Sequence, residues 1–145
     1  MIPADYLAAY EKAPPPPTLI EGPLPDLVTH HYSSGGCYIL AAALHQATNL
    51  PIELYYRQGE PKHAYITDGV RALDVRGVQP VDRARLGAEQ IAQVTLGGLV
   101  AVLRALPSAV DQLADIRRPR SQVAAENAAA ALLGLTRFVV PDPHG

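Results

Sequence analysis

Sulfur is almost absent from this chain, which has one cysteine and one methionine in 145 residues. A single cysteine allows no internal disulfide. The simplest home for a lone free thiol is a reducing cytosol, so a cytoplasmic protein is expected. Charge is also scarce: 18% of residues are charged and the net charge is −2 at pH 7. That balance offers no electrostatic case for nucleic acid or for a membrane surface as partner. The N-terminus, Met1-Ile2-Pro3-Ala4-Asp5, lacks the basic start and apolar run of a secretory signal. The longest apolar stretch, near Val94 to Leu103, is broken by Gly97-Gly98 and followed by Arg104. It is too short to span a bilayer. Neither Gly35-Gly36 nor Gly97-Gly98 is followed by Lys-Ser/Thr, which excludes a phosphate-cradling loop of the Walker kind. Cys37, His30, His31, His45 and His63 follow no C-x-x-C or H-x-x-x-H spacing. No metal, zinc included, and no cofactor is therefore expected.

What remains is an ordinary globular composition, 48% hydrophobic, at a length that suits one domain with one core. The chain divides by pattern into an N-terminal arm over 1–32, a core over 33–80 and a mainly helical half over 81–145. Residues 3–12 read as a short helix, with Tyr6, Leu7 and Tyr10 on one face. Pro14 to Pro17, with Pro23 and Pro25, predict an extended arm. Docking of a partner protein on this arm or on the C-terminal helices is the other use of such segments. Residues 30–36 read as a loop ending in the breaker Gly35-Gly36. A helix is predicted from Cys37 to Thr48, where Leu40, Ala41, Leu44 and Ala47 recur at helical spacing before Asn49 and Pro51. Ile52 to Arg57 alternates as a strand does, and Gln58 to Lys62 reads as a loop. Asp82 or Gly87 is expected to open a helix, Ser108 with Asp111 to cap another, and Ser121 to cap an alanine-rich one that Gly134 stops. Arg137 to Val140 reads as a last short strand.

The informative stretch runs from His63 to Val75. Two β-prone runs flank Asp68-Gly69, a strong signal for a two-residue hairpin turn. Such a turn pairs Thr67 with Val70, and counting back pairs His63 with Asp74 on one face of the hairpin. A carboxylate beside an imidazole fixes its tautomer and stabilises its cation. A slip of one residue would put the two on opposite faces. Cys37 follows two glycines at the start of a predicted helix, where free N–H groups and the helix dipole favour a thiolate and can hold an oxyanion. The glycines would let a substrate backbone come close.

Each residue alone has a simpler reading. A lone helix cysteine is usually a small buried hydrophobe, His63 an exposed strand residue, Asp74 a turn former. Together they are a thiol at a helix start with an imidazole and a carboxylate opposed on a hairpin. That conjunction points to nucleophilic catalysis with Cys37 as nucleophile, His63 as base and Asp74 as its orienting group.

Gly35-Gly36-Cys37-Tyr38, His63-Ala64-Tyr65 and Leu73-Asp74, in that order, resemble the papain-like thiol enzymes, and most of all their transglutaminase-like branch. The likeness covers about residues 33 to 77. It implies an α+β core in which the Cys37 helix packs on a small antiparallel sheet, with added C-terminal helices. It implies a thioester acyl-enzyme and the roles already given to Cys37, His63 and Asp74. Gly36, Ser34, Tyr32, Tyr65 and His31 are the candidates for oxyanion or substrate contacts. The expected activity is that of a hydrolase, either protease, isopeptidase, amidase or deamidase, acting on a protein or peptide; a transglutaminase-like acyltransferase belongs to the same chemistry. The alternative is a catalytically inactive papain-like module that binds a partner protein.

Overall fold

A computed structural model describes residues 23–33 and 35–138. The helix expected over 3–12, the prolines 14–17, Ser34 and residues 139 and 140 lie outside the described residues.

The first described helix, α1 (Asp26–Ser33), occupies much of the segment read as a loop. Its sequence explains the difference. Val28, Thr29 and Tyr32 fall on one buried face, and Asp26 stands in the first turn, where the dipole favours an acid. Helix α2 (Cys37–Thr48) has the predicted bounds. Every residue from Cys37 to Leu44 is buried, whereas Ala47 is exposed. The first two turns are apolar all round, and such a helix belongs in an interior. Asn49 closes α2 in the left-handed conformation (φ 61°), its N–H donating to the His45 carbonyl at 2.7 Å.

Five strands follow: β1 (Ile52–Arg57), β2 (Glu60–Thr67), β3 (Arg71–Asp74), β4 (Gly77–Pro80) and β5 (Gln90–Val94). They form one antiparallel sheet in the order β4-β3-β2-β1-β5. Gln58 and Gly59 join β1 to β2 as a tight turn, both with positive φ (56° and 75°), and Arg57 pairs with Glu60. The loop read over 58–62 is therefore two residues long. The pair Asp68-Gly69 behaves otherwise. Gly69 has positive φ but Asp68 does not, so the primed turn, which needs both, cannot form. Instead the Asp68 carboxylate accepts the backbone N–H groups of Val70 and Arg71 at 2.9 and 2.7 Å. Thr67 pairs with Ala72, and the turn is two residues longer than predicted.

The second half is less helical than its pattern. Helix α3 (Val81–Ala84) is a single turn, and Gln90–Val94 adds β5 to the free edge of β1, where a helix was expected. Ile91 and Ala92 pair with Tyr55 and Leu54. Edge pairing satisfies a row of backbone groups that a helix at this place would leave open. Helix α4 (Leu96–Arg104) is capped by Thr95, whose Oγ1 accepts the Gly98 N–H at 3.0 Å. Ser108 lies inside a 3-10 turn (Pro107–Ala109) and caps nothing before α5 (Val110–Arg117). The alanine-rich α6 (Pro119–Thr136) starts at Pro119, so Ser121 and Gly134 both fall within it. Pro suits that first position because its missing N–H would have had no partner. No single helix among the described residues is long and apolar enough to cross a membrane.

The core lies between the sheet and the helices, with α2 at its centre. Ile52, Leu54, Ile66 and Leu73 from the strands meet Leu40 and Leu44 of α2, Leu99 and Leu103 of α4, and Ala128 and Leu132 of α6. Each fully buried aliphatic side chain contributes about 1.5–3 kcal/mol. The alanines let α6 pack closely on α2. On the other face Tyr65, Ala72 and Val81 form a second, smaller cluster.

Candidate active site

Cys37 is the first residue of α2, and Gly36 is its N-cap with no side chain to offer the first-turn N–H groups. The thiol residue is 2% exposed. Tyr38 fastens this helix start to the sheet, its hydroxyl donating to the Pro61 carbonyl at 3.0 Å. Beside that anchor β2 is bulged. Tyr55 pairs with His63 but Tyr56 pairs with Pro61, so Lys62 is the extra residue next to His63. A bulge bends its strand and re-aims a neighbouring side chain.

The register of the second hairpin differs from the prediction. The observed pairs are Ile66 with Leu73 and Thr67 with Ala72. Counted on, they put Tyr65, not His63, across from Asp74. The slip is two residues, and two is the repeat of a strand, so His63 and Asp74 still share a face as diagonal neighbours. His63 Nε2 lies 2.8 Å from Asp74 Oδ2, and the other carboxylate oxygen accepts the Arg76 N–H at 2.8 Å. The Asp74 carboxylate is thus held at both oxygens. The Cys37 side chain also acts on the His63 ring. With Nε2 committed to Asp74, Nδ1 is the ring nitrogen left for the thiol. Burial alone would depress the His63 pKa. The hydrogen bond to Asp74 and the influence of the neighbouring Cys37 and Asp74 side chains outweigh it and raise the value from 6.5 to about 10. The direction of this shift favours an imidazolium beside Asp74 at neutral pH.

The glycines before Cys37 do not leave room for substrate in the way expected of them. A Cβ on Gly36 would stand 2.6 Å from two atoms of the His31 ring and 3.0 Å from the His31 carbonyl oxygen. A Cβ on Gly35 would stand 2.9 Å from Nε2 of Gln112. The space beside each glycine is filled by the chain's own side chains. Burial lowers the His31 pKa to about 4, so this wall is a neutral imidazole, set edge-on to Tyr32 at 4.8 Å. Gly36→Ala is expected to cost about 1–3 kcal/mol by overpacking against His31. Urea unfolding measures it, and an unchanged midpoint would mean that His31 swings aside freely.

The weaker candidates stand as follows. Tyr32 and Tyr65 are each 1% exposed. Tyr65 donates its hydroxyl to Glu53 at 2.6 Å, so that group is spent inside the protein. Its ring centroid is 5.9 Å from that of His63. Sequence reasoning missed the anchoring bond of Tyr38, the place of Gln112 and the bulge at Lys62. Gln112 carries no local signal, because only the packing of α5 against the Gly35 loop brings it here. Among the described residues no group of three or more His, Cys, Asp or Glu side chains is arranged to hold a metal ion. Comparison with family models, curated proteins and solved structures gives no significant match for this chain.

Proposed function

We propose that the protein is a cysteine-dependent acyl-transfer enzyme of papain-like, transglutaminase-like design, acting as a hydrolase on a protein or peptide. The observation that carries this reading is the His63–Asp74 hydrogen bond at 2.8 Å with Cys37 acting on the same ring, the three residues drawn from a helix start and two strands. The His63 imidazolium stabilises a thiolate on Cys37. That thiolate attacks an amide carbonyl, and the N–H groups of the first turn of α2 receive the developing oxyanion. His63 gives its proton to the leaving amine as the C–N bond breaks, leaving a thioester on Cys37. Neutral His63 then takes a proton from water, which attacks the thioester and releases the acid and the thiolate. Asp74 holds the ring throughout. Hydrolysis is the simplest second step because water needs no acceptor site.

The burial of Cys37 favours a second reading, a catalytically inactive module of the same design that binds a partner protein. Alkylation separates the two, and the single cysteine makes every reacted thiol Cys37. Iodoacetamide rates are measured from pH 6 to 9 on the wild type and on His63→Ala. The enzyme reading expects fast alkylation of the wild type even at pH 6.5, and a loss of about 10–100-fold at that pH in His63→Ala. Slow reaction at every pH, or no effect of the substitution, makes Cys37 a packing residue and leaves the binding module.

A further inference from the structure

A pocket of about 420 Å³, within the range of small-ligand sites, lies between α2, α4, α5 and α6. Ile39, Ala42, Ala43 and Gln46 line it from α2, spaced as one helix face. At about 100° per residue that face centres on the side of α2 opposite Cys37. Binding here requires no path to the thiol. The floor is apolar and buried: Ile39, Ala42 and Ala43, with Ile116 of α5 and Ala125 of α6. Leu96 and Val100 of α4 form a half-buried wall. The rim is polar and exposed, so the mouth meets solvent, and it consists of Gln46, Arg117, Gln122 and Glu126.

Two of the rim groups carry opposite charges. Arg117 ends α5, and Glu126 stands one turn past Gln122 on α6. Among the described residues neither side chain makes an ion pair or a hydrogen bond, with the other or with anything else. The carboxylate of Asp115 pairs instead with Arg118, at 3.8 Å. Gln122 Nε2 donates to the Ile116 carbonyl at 2.6 Å, which fixes that part of the rim and leaves Oε1 as an acceptor. A ligand that matches this pocket needs an apolar body for the floor, an anion for Arg117 and a cation for Glu126. An amino acid or short peptide with an apolar side chain carries all three.

We propose that the pocket binds an apolar zwitterion, a free amino acid or dipeptide with aliphatic side chains, its carboxylate at Arg117, its ammonium at Glu126 and Gln122, and its side chain on the Ala42–Ala43 floor. The guanidinium and carboxylate offer charge-assisted hydrogen bonds to the two ends. Exposed charge pairs contribute little by themselves. The apolar floor therefore supplies most of the affinity, and the rim supplies the selection. The site is separate from acyl transfer at Cys37 and stands whether or not that reaction occurs.

Leucine and leucyl-leucine, titrated separately into the 15N-labelled chain to millimolar excess, test it. Saturable shifts are expected at the backbone amides of Ala42, Ala43, Ile116 and Ala125, and the tighter of the two ligands sets the length the pocket takes. The C-terminal amide of that ligand, which lacks the carboxylate, and its N-acetyl form, which lacks the ammonium, should each bind about fivefold more weakly. Arg117→Gln should weaken the parent ligand by the same factor and leave the C-terminal amide unaffected, since the charge it would meet is already gone. Glu126→Gln should do the same with the N-acetyl form. Serine, with both ends and no apolar side chain, should cause no saturable shift. Thermal melting reports the folding of each variant, and where one does not fold, the ligand series on the wild type decides. No saturable shift with either ligand, shifts that leave these four amides unmoved, or equal binding of the parent and its two capped forms overturns the proposal.

Discussion

Replacing Asp74 by asparagine is expected to lower the pH at which His63 titrates by about 1–3 units. The native value of about 10 is a balance in which burial, the largest influence, pulls down and Asp74 and Cys37 pull up. Asparagine keeps the size of the side chain and removes its charge. The Nε2–H then loses its ionic acceptor while the burial stays. Imidazole 13Cε1 shifts followed from pH 5 to 11 measure the change, and five histidines are few enough to assign. An unmoved titration would show that Asp74 does not hold the ring. The same balance sets a stability profile. The folded pKa lies above the unfolded 6.5, so the contribution of His63 is complete below pH 6.5 and is lost as the pH rises through about 10. Urea midpoints of the wild type should therefore fall across that window by more than those of Asp74→Asn.

A second large effect is expected on the face of the sheet turned away from the main core. Glu53 points away from Ile52 and Leu54 and is fully buried. Arg85 donates to both of its oxygens at 2.7 and 2.8 Å, and Tyr65 to one at 2.6 Å. Burial would raise the Glu53 pKa, but these bonds hold it below the usual carboxylate value. Tyr65→Phe removes a donor from a buried charge and should cost about 1.5–3 kcal/mol. Arg85→Leu should cost more, because it leaves the carboxylate with no cation. Replacing both Glu53 and Arg85 by leucine should recover much of that loss, since no charge is then stranded. Urea unfolding of the three variants checks the order. A double variant no better than Arg85→Leu would mean that the pair, rather than its imbalance, supports the sheet. Tyr65 neighbours His63 in the same strand, so the network also steadies the strand that carries the His63 ring.

The sequence made the helix from Cys37, the strand from Ile52 and the shared face of His63 and Asp74 legible, because period and parity survive small errors. The count across the Asp68 turn was wrong by two, yet the contact stood. What was illegible depended on competition that no local window contains. Asp68 reads as a turn former, but its carboxylate had two N–H groups within reach and built a wider turn. Gln90 to Val94 has no strong strand pattern and became a strand because β1 presented an open edge. The packing of His31 and Gln112 beside the two glycines is set by α1 and α5, elements distant in sequence from the Gly35 loop or misread as loop.

The isolation of Cys37 also fixes how the site ages under oxidants. Peroxide that reaches the thiol makes a sulfenic acid, and the usual rescue is a neighbouring thiol that traps it as a disulfide. This chain has no second cysteine to serve as that trap. Rescue must come from a small external thiol able to enter a pocket where the residue is 2% exposed. Further peroxide drives Cys37 on to the sulfinic acid, which simple thiols do not reverse. The tight enclosure of Cys37 is therefore also its main shield, and loosening it would expose the thiol to permanent loss.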